Sequence, residues 1–160
     1  QIDAGPVDLV EHLRRGAALL SRALDRRTRF VLELPAEPMM VIAEPGVVDR
    51  IVLNLLVNAK QAVGENGGQV WVRVVPDVGY AFLEVEDDGI GFDSAVAERL
   101  FQPGISGSGS TGLGLSVVQD VASSVGARVT VESMPGHGAR CRIVFRRSGA
   151  NENALTRSNA

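Results

Sequence analysis

The chain has 160 residues, of which 45% are hydrophobic and 22% are charged, and its formal net charge is −3. This length and composition are typical of a single globular domain with a substantial core. The acidic balance excludes a basic surface for nucleic acid, and the apolar runs are too short to span a bilayer. There is no secretion leader and the first residue is Gln1, so we expect a cytoplasmic fragment of a larger protein, whether or not the parent is membrane-anchored.

The first half of the chain shows helical and strand-like patterns in turn. A helix is predicted over residues 7–26, because apolar residues recur there at helical spacing, namely Val7, Leu9, Val10, Leu13, Leu19, Leu20 and Leu24. Residues 29–34 and 39–43 predict two strands on either side of a proline-bounded turn. A second helix is predicted over residues 46–63, and the glycine-rich stretch that follows would end it.

The second half begins with two alternating strands, at residues 69–74 and 80–87. A polar, glycine-rich stretch then leads to a helix from about residue 112 to residue 125, and strands at 127–132 and 139–145 close the domain. Each strand has one apolar face, so the sheet would have one face in water and helices on the other. These patterns predict an α/β (α+β) fold built as a two-layer sandwich.

The last residues of the chain and its single cysteine give two further predictions. Residues 148–160 are polar and aperiodic, which predicts a disordered tail after a domain that covers residues 1–147. The single cysteine, Cys141, excludes internal disulfides and multi-cysteine metal sites. We interpret it as a small buried hydrophobic residue.

Three amides share one face of the helix predicted over residues 46–63. Asn54 and Asn58 are four residues apart, and Gln61 follows three residues later, beside the apolar stripe. Asparagine is disfavoured inside helices because its side chain competes for backbone hydrogen bonds. The two asparagines are therefore either capping or edge amides, or neutral oxygen ligands of the kind that Mg²⁺ accepts.

A second candidate site lies at the end of the strand predicted over residues 80–87. Alternation places Asp87 on the apolar, inward face of this strand, where a carboxylate needs hydrogen-bond donors. An adenine amino group would supply such donors, and Gly89 and Gly91 would let the flat ring approach the backbone. The alternative is an aspartate that ends a strand at a turn.

The third candidate site is the stretch 100–116, which contains five glycines and no lysine or arginine. Serial glycines before a helix expose N–H groups at the positive end of the helix dipole, an arrangement that binds phosphate. A metal would then balance the phosphate charge, and the stretch is long enough to act as a lid. Residues 107–112 also match the dinucleotide pattern G-x-G-x-x-G, but no strand leads into them and fewer than 50 residues follow, which argues against a Rossmann domain.

Four segments, in this order, resemble the N, G1, F and G2 boxes of histidine kinases: NLLVNAKQAV (54–63), DDGIGF (87–92), LFQPGIS (100–106) and GSTGLGLSVV (109–118). These kinases belong to the GHKL superfamily and share the Bergerat ATP-binding fold, which implies a mixed, mostly antiparallel sheet with helices on one face. The closing MPGHGARCRIVF also resembles the end of that domain, and the resemblance covers about residues 5–147.

The resemblance implies ATP and Mg²⁺ as cofactors and a role for each matching residue. Asn58 would be catalytic as the ligand of a Mg²⁺ that bridges the ATP phosphates, with Asn54 supporting the metal. Asp87 would accept a hydrogen bond from the adenine amino group, and Gln61 would lie at the nucleotide. The remaining cofactor-binding residues would shape the adenine wall, the lid and the phosphate site: Gly89, Gly91, Phe101, Gly112, Leu113, Gly114 and Leu115.

The residue at position 54 separates two activities within the superfamily. Members that hydrolyse ATP carry a glutamate there as a general base, whereas the Asn54 amide cannot accept a proton near neutral pH. This difference favours a kinase. Three departures from the family predict weaker nucleotide binding: Gln61 replaces a common basic residue, the lid has no basic residue, and Ala139 stands where a threonine or serine is common.

A histidine kinase also needs an acceptor histidine on a dimerisation hairpin. His12 precedes Asn58 by only 46 residues, which leaves no room for that hairpin, and His137 lies in a predicted turn. We therefore expect the acceptor hairpin and a response regulator receiver domain as partners, no nucleic acid, and a monomeric fragment. Two alternatives stay open: a serine kinase of the anti-sigma type, and a degenerate module that acts by docking a partner.

Overall fold

Helices and strands follow one another along the chain much as the periodicity predicts. The computed structural model describes residues 3–102 and 114–149. In chain order the elements are β1 (Gly5–Asp8), α1 (Leu9–Ser21), β2 (Thr28–Glu33), β3 (Met40–Ala43), α2 (Pro45–Val63), β4 (Gly68–Pro76), β5 (Tyr80–Asp87), α3 (Ser94–Leu100), α4 (Leu115–Ser123), β6 (Arg128–Ser133) and β7 (Ala139–Arg146).

The strands form two sheets. The larger sheet has the order β2-β4-β5-β7-β6; β2 runs parallel to β4, and the other neighbours are antiparallel. The smaller sheet pairs β1 with β3 antiparallel. The predicted mixed, mostly antiparallel sheet is therefore confirmed, whereas the two-stranded sheet was not predicted.

The first helix is shorter than the predicted range of 7–26. Residues 5–8 form β1, so the helix begins only after Asp8, whose carboxylate accepts a hydrogen bond from the Glu11 N–H (3.3 Å). The helix then ends at Ser21. The prediction that Leu19 belongs to the apolar stripe is wrong, because this side chain is 66% exposed.

Two helices in the second half of the chain differ from the prediction. The helix α3 lies inside the polar, glycine-rich stretch, where no helix was predicted. It begins where the Asp93 carboxylate accepts a hydrogen bond from the Val96 N–H (2.9 Å). The helix predicted over 112–125 is observed as α4, from Leu115 to Ser123. Residues 112 and 113 lie outside the described part of the chain.

One face of the large sheet forms the core together with α2 and α4. Alternate side chains of the central strands are buried there, namely Val70, Val72, Val74, Ala81, Leu83, Val85, Ile143 and Phe145. The helix α2 carries the matching stripe of Val48, Ile51, Val52, Leu55, Leu56 and Ala59. Asp87 ends the inward row of β5, so the fold places a carboxylate at the border of the core.

The opposite face of the sheet is less open than the alternation predicted. Glu84 lies on that face, yet it is only 3% exposed. The Arg142 guanidinium lies 2.6 Å from one Glu84 carboxylate oxygen, and the Arg73 guanidinium lies 3.9 Å from the other. These two arginines on neighbouring strands bury the carboxylate and balance its charge.

Within residues 3–102 and 114–149, no helix is both long enough and apolar enough to cross a membrane. The predicted disordered tail falls almost wholly on residues outside the described part of the chain, since description ends at Gly149. The domain boundary at residue 147 therefore stays a prediction.

Candidate functional site

A mostly apolar cavity opens between α2, the N-terminus of α4, and the ends of β5, β6 and β7. Its lining comprises Leu55, Asn58, Ala59, Val85, Asp87, Phe92, Leu115, Val131, Ala139 and Cys141. An apolar pocket that holds a few polar groups is the usual form of a small-molecule site. Here Asn58 and Asp87 supply hydrogen-bonding oxygens, so the structure brings together the asparagine and the aspartate that the sequence singled out separately.

The Asp87 carboxylate is 7% exposed at the end of β5. The Gly89 N–H donates a hydrogen bond to its Oδ1 atom (2.9 Å), and the backbone N–H of Ala139 donates a second. Burial nevertheless raises the pKa of Asp87 to about 6, and nearby carboxylates add to this effect. Asp87 is therefore mostly ionised at neutral pH, with lone pairs left for a ligand.

Two glycines after Asp87 let the loop 88–92 pack backbone to backbone against its neighbours. A Cβ atom at Gly89 would overlap the carbonyl group of Ala62 in the last turn of α2. The Ile90 N–H donates to this same carbonyl (3.1 Å). Gly91 has a φ of 63°, and its Cβ atom would overlap the Met134 carbonyl oxygen. Both positions therefore require glycine.

The amide face of α2 contributes one residue to the cavity. Asn58 lines it, whereas Asn54, one turn earlier, is half-buried and outside the lining. Gln61 is exposed near the C-terminal end of α2 and is also outside the lining. Lys60, the residue before Gln61, is exposed.

The remaining predicted residues border the glycine-rich stretch. Gly112 and Leu113 lie outside the described residues. Gly114 is buried at the N-cap of α4, and Leu115, the first residue of that helix, is 6% exposed and lines the cavity. Phe101 follows α3 and packs, partly buried, against the core.

Sequence reasoning missed several lining residues. Phe92 follows Gly91 in a loop, where no periodicity shows which way a side chain points. Cys141 is buried as predicted, and burial raises the pKa of its thiol to about 12, so it stays uncharged near neutral pH. Its position in the cavity could have been read from strand pairing, because Cys141 lies opposite Val85 on β5.

The two histidines lie away from this cavity's lining. The His12 Nε2 atom lies 2.7 Å from the Asp49 Oδ1 atom, a contact that joins α1 to α2. His137 is exposed in the turn between β6 and β7. Across the described ranges, no group of three or more His, Cys, Asp or Glu side chains could hold a metal ion.

Comparison with known proteins decides the family. The profile of the family described as "Histidine kinase-, DNA gyrase B-, and HSP90-like ATPase" matches residues 44–149, more than half of the chain. The chain belongs to this family. Within the family its relatives include the sensory histidine kinase/phosphatase NtrB of Klebsiella oxytoca, which is 31% identical over an alignment of 134 residues. That alignment covers 77% of this chain and 38% of NtrB.

A second relative is the C4-dicarboxylate transport sensor protein DctB of Rhizobium meliloti, 33% identical over 135 residues. The match covers 82% of this chain and 22% of DctB, so the chain spans less than half of either relative. NtrB and the solved structure of MprB are named as histidine kinases, which confirms the resemblance read from the four boxes.

Solved structures of histidine kinases share the fold. The mycobacterial sensor histidine kinase MprB superposes with a TM-score of 0.75 at 28% identity. The alignment covers 91% of this chain and 98% of the MprB chain. Full-length ShkA in complex with AMPPNP superposes with a TM-score of 0.78 at 25% identity, over 92% of this chain and 32% of its own. The predicted Bergerat fold is thereby confirmed.

Proposed function

We propose that this chain is the ATP-binding catalytic domain of a two-component sensor histidine kinase. It would transfer the γ-phosphoryl group of ATP to a histidine on a dimerisation hairpin that is a separate segment. The observation that carries the proposal is the cavity in which the buried Asp87 carboxylate and the Asn58 amide meet among apolar side chains. Family membership and the AMPPNP bound to the related ShkA support it.

Asp87 is proposed to recognise adenine. An ionised carboxylate accepts the N–H of the exocyclic amino group, and the hydrogen bonds from Gly89 and Ala139 hold the carboxylate in place for it. The close backbone packing at Gly89 and Gly91 fixes the path of the loop that follows this carboxylate. Apolar lining residues would cover the faces of the ring and exclude water from this hydrogen bond.

The phosphates are proposed to extend from this pocket toward Asn58 and α4. Backbone N–H groups at the start of α4, with Gly112, Leu113, Gly114 and Leu115 as the contributing residues, would face the phosphates at the positive end of the helix dipole. Phe101 would act as an apolar hinge at the far end of the glycine-rich stretch, and Gln61 would lie at the edge of the site.

The donor set fits Mg²⁺. This ion keeps several waters and takes few protein ligands beside substrate phosphates. One neutral amide oxygen from Asn58 is therefore enough, although no acidic cluster is found among the described residues. When bound, Mg²⁺ would neutralise the charge of the phosphates. Asn54 would orient water beside it, and as a neutral amide it could not activate that water for hydrolysis.

The partners follow from the proposed activity. The domain would act on the histidine of a dimerisation hairpin, and that phosphohistidine would pass its phosphoryl group to a response regulator receiver domain. His12 is engaged with Asp49 between two helices of this domain, which supports an acceptor elsewhere. We also propose that this fragment is monomeric and acts on the cytoplasmic side.

Phosphotransfer in trans tests the proposal. The chain is incubated with γ-labelled ATP, Mg²⁺ and a purified histidine-bearing hairpin of a histidine kinase, beside the same hairpin with its histidine replaced by alanine. We expect acid-labile label on the first hairpin alone, and none when the domain carries Asn58→Ala. A wild-type domain that binds ATP but labels no hairpin would favour a docking module instead.

A further inference from the structure

One hydroxyl joins the two loops that border the cavity. Ser133 ends β6, and its Oγ atom accepts a hydrogen bond from the Phe92 N–H (2.8 Å). The same hydroxyl donates to the Gly138 carbonyl oxygen (2.9 Å). Phe92 ends the loop 88–92, whereas Gly138 ends the turn 134–138, so a single side chain bridges two segments that are remote in sequence.

The other contacts between these loops are made by the backbone. The Gly136 N–H donates to the Ile90 carbonyl oxygen (2.7 Å). A Cβ atom at Gly138 would overlap the carbonyl oxygen of Asp87, and one at Gly91 would overlap that of Met134. The two loops therefore approach too closely for side chains to pack between them. Beyond the pairing of β5 with β7 at Asp87 and Ala139, this small set of hydrogen bonds holds the two loops together.

The Ser133 bridge lies next to two residues that line the cavity. Asp87 immediately precedes the loop 88–92 and Phe92 ends it, and both side chains line the cavity. Because the hydrogen bond holds the backbone nitrogen of Phe92 in place, it also restricts the position from which the Phe92 side chain extends. Fixing the Gly138 carbonyl holds the turn from which the Ala139 N–H reaches the Asp87 carboxylate.

We propose that Ser133 is a positioning residue for the nucleotide. Through the Phe92 N–H and the Gly138 carbonyl, its hydroxyl holds the loop 88–92 against the turn 134–138 in the geometry that the base requires. This inference rests on the proposed ATP site. It predicts that removing the hydroxyl loosens the adenine end of the site and leaves the phosphate end, around Asn58 and α4, unchanged.

The test compares three variants of the full chain by calorimetric titration with ATP and with ADP. Ser133→Ala loses both hydrogen bonds and should weaken both ligands by the same factor, about five- to tenfold. Ser133→Thr keeps the hydroxyl and should stay within about twofold of wild type. Thr130→Ala removes an exposed hydroxyl from the same strand and should bind like wild type. Thermal unfolding of each variant separates lost positioning from lost folding.

Several outcomes would overturn the inference. One is a Ser133→Ala variant that binds ATP like wild type, and another is a Ser133→Thr variant as weak as Ser133→Ala. Unequal factors for ATP and ADP would place the effect at the phosphates instead. Amide hydrogen exchange in wild type tests the bridge even if Ser133→Ala fails to fold. The Phe92 amide should be protected from exchange, and an unprotected amide would show that the Ser133 bridge does not exist. If wild type binds no ATP, the proposed function fails, and Phe92 exchange still decides whether the bridge exists.

Discussion

Gly91 lies so close to Met134 that a Cβ atom on the glycine would overlap the methionine carbonyl oxygen. The glycine also has a φ of 63°, in the left-handed region that other residues rarely adopt. The contact joins the loop 88–92, whose last residue Phe92 lines the cavity, to the turn 134–138, which leads into the lining residue Ala139. This contact therefore links the conformation of one glycine to the shape of the site.

Gly91→Ala should lower both stability and ATP affinity. The left-handed φ alone costs about 1 kcal/mol for alanine, and the overlap with Met134 forces a further shift of the loop that carries Phe92 into the cavity lining. Gly126→Ala is the matched control, because Gly126 has a φ of 75° and open space around its Cβ position. Urea unfolding should show a loss about twice as large for Gly91→Ala, with weakened ATP binding in that variant alone. Equal losses in the two variants would mean that the contact between Gly91 and Met134 tolerates a side chain.

The buried carboxylate on the outer face of the sheet gives a second prediction. Arg142→Ala removes the closer partner of Glu84, whose side chain is 5% exposed, and leaves Arg73 at 3.9 Å. We expect a loss of about 2 kcal/mol, since an underpaired buried charge is costly. Arg15→Ala breaks an exposed pair with Glu11 and should cost less than about 1 kcal/mol. Denaturant unfolding measures both, and equal costs would contradict the burial of Glu84.

The raised pKa of Asp87 predicts how stability depends on pH. Between its ordinary value of 3.8 and its folded value of about 6, the folded chain holds a proton that the unfolded chain has released. Stability from this group is therefore present at low pH and is lost as pH rises through that window, by up to about 3 kcal/mol. Asp87→Asn has no carboxyl group at this position and should lack this pH dependence. The difference between the unfolding free energies of wild type and Asp87→Asn should therefore change between about pH 4 and about pH 7. A constant difference would mean that Asp87 is not desolvated.

The role proposed for Asn58 predicts a loss of metal dependence. Asn58→Ala should bind ATP with the same affinity with and without Mg²⁺, whereas wild type should bind more tightly with it. Asn66→Ala, an exposed asparagine outside the cavity, is the control and should keep the wild-type response. The measurement is calorimetric titration in Mg²⁺ and in chelator. A full metal response in Asn58→Ala would assign the metal to other residues.

The elements that were predicted correctly are those whose apolar residues recur with clear strand or helix periodicity. The strand over residues 80–87 matches β5, and its alternation correctly placed Asp87 on the core side, because that strand is buried on one face. The helix α2 was predicted to within one residue at its start, since its apolar stripe runs its whole length. The N-terminal strand β1 was missed because it is short and merges with the helical pattern that follows.

Features that depend on tertiary neighbours could not be predicted from local pattern. Alternation placed Glu84 in water, and only the register of β5 with β4 and β7 shows that arginines cover it. The bridge from Ser133 to Phe92 joins residues 41 positions apart, and neither position carries a periodic signal. The cavity lining by Phe92 and Cys141 likewise required the assembled sheet and loops.

Titration of the chain with ATP, for wild type and for Asp87→Asn, tests the central claim most directly. Asparagine keeps the size of the side chain but removes the negative charge and replaces one acceptor oxygen with a donor that faces the N–H groups of Gly89 and Ala139. We predict saturable one-site binding by wild type, at least about tenfold weaker binding by Asp87→Asn, and no binding of NAD by either. Equal ATP affinity in the two proteins, or no ATP binding by a folded wild type, would contradict the account.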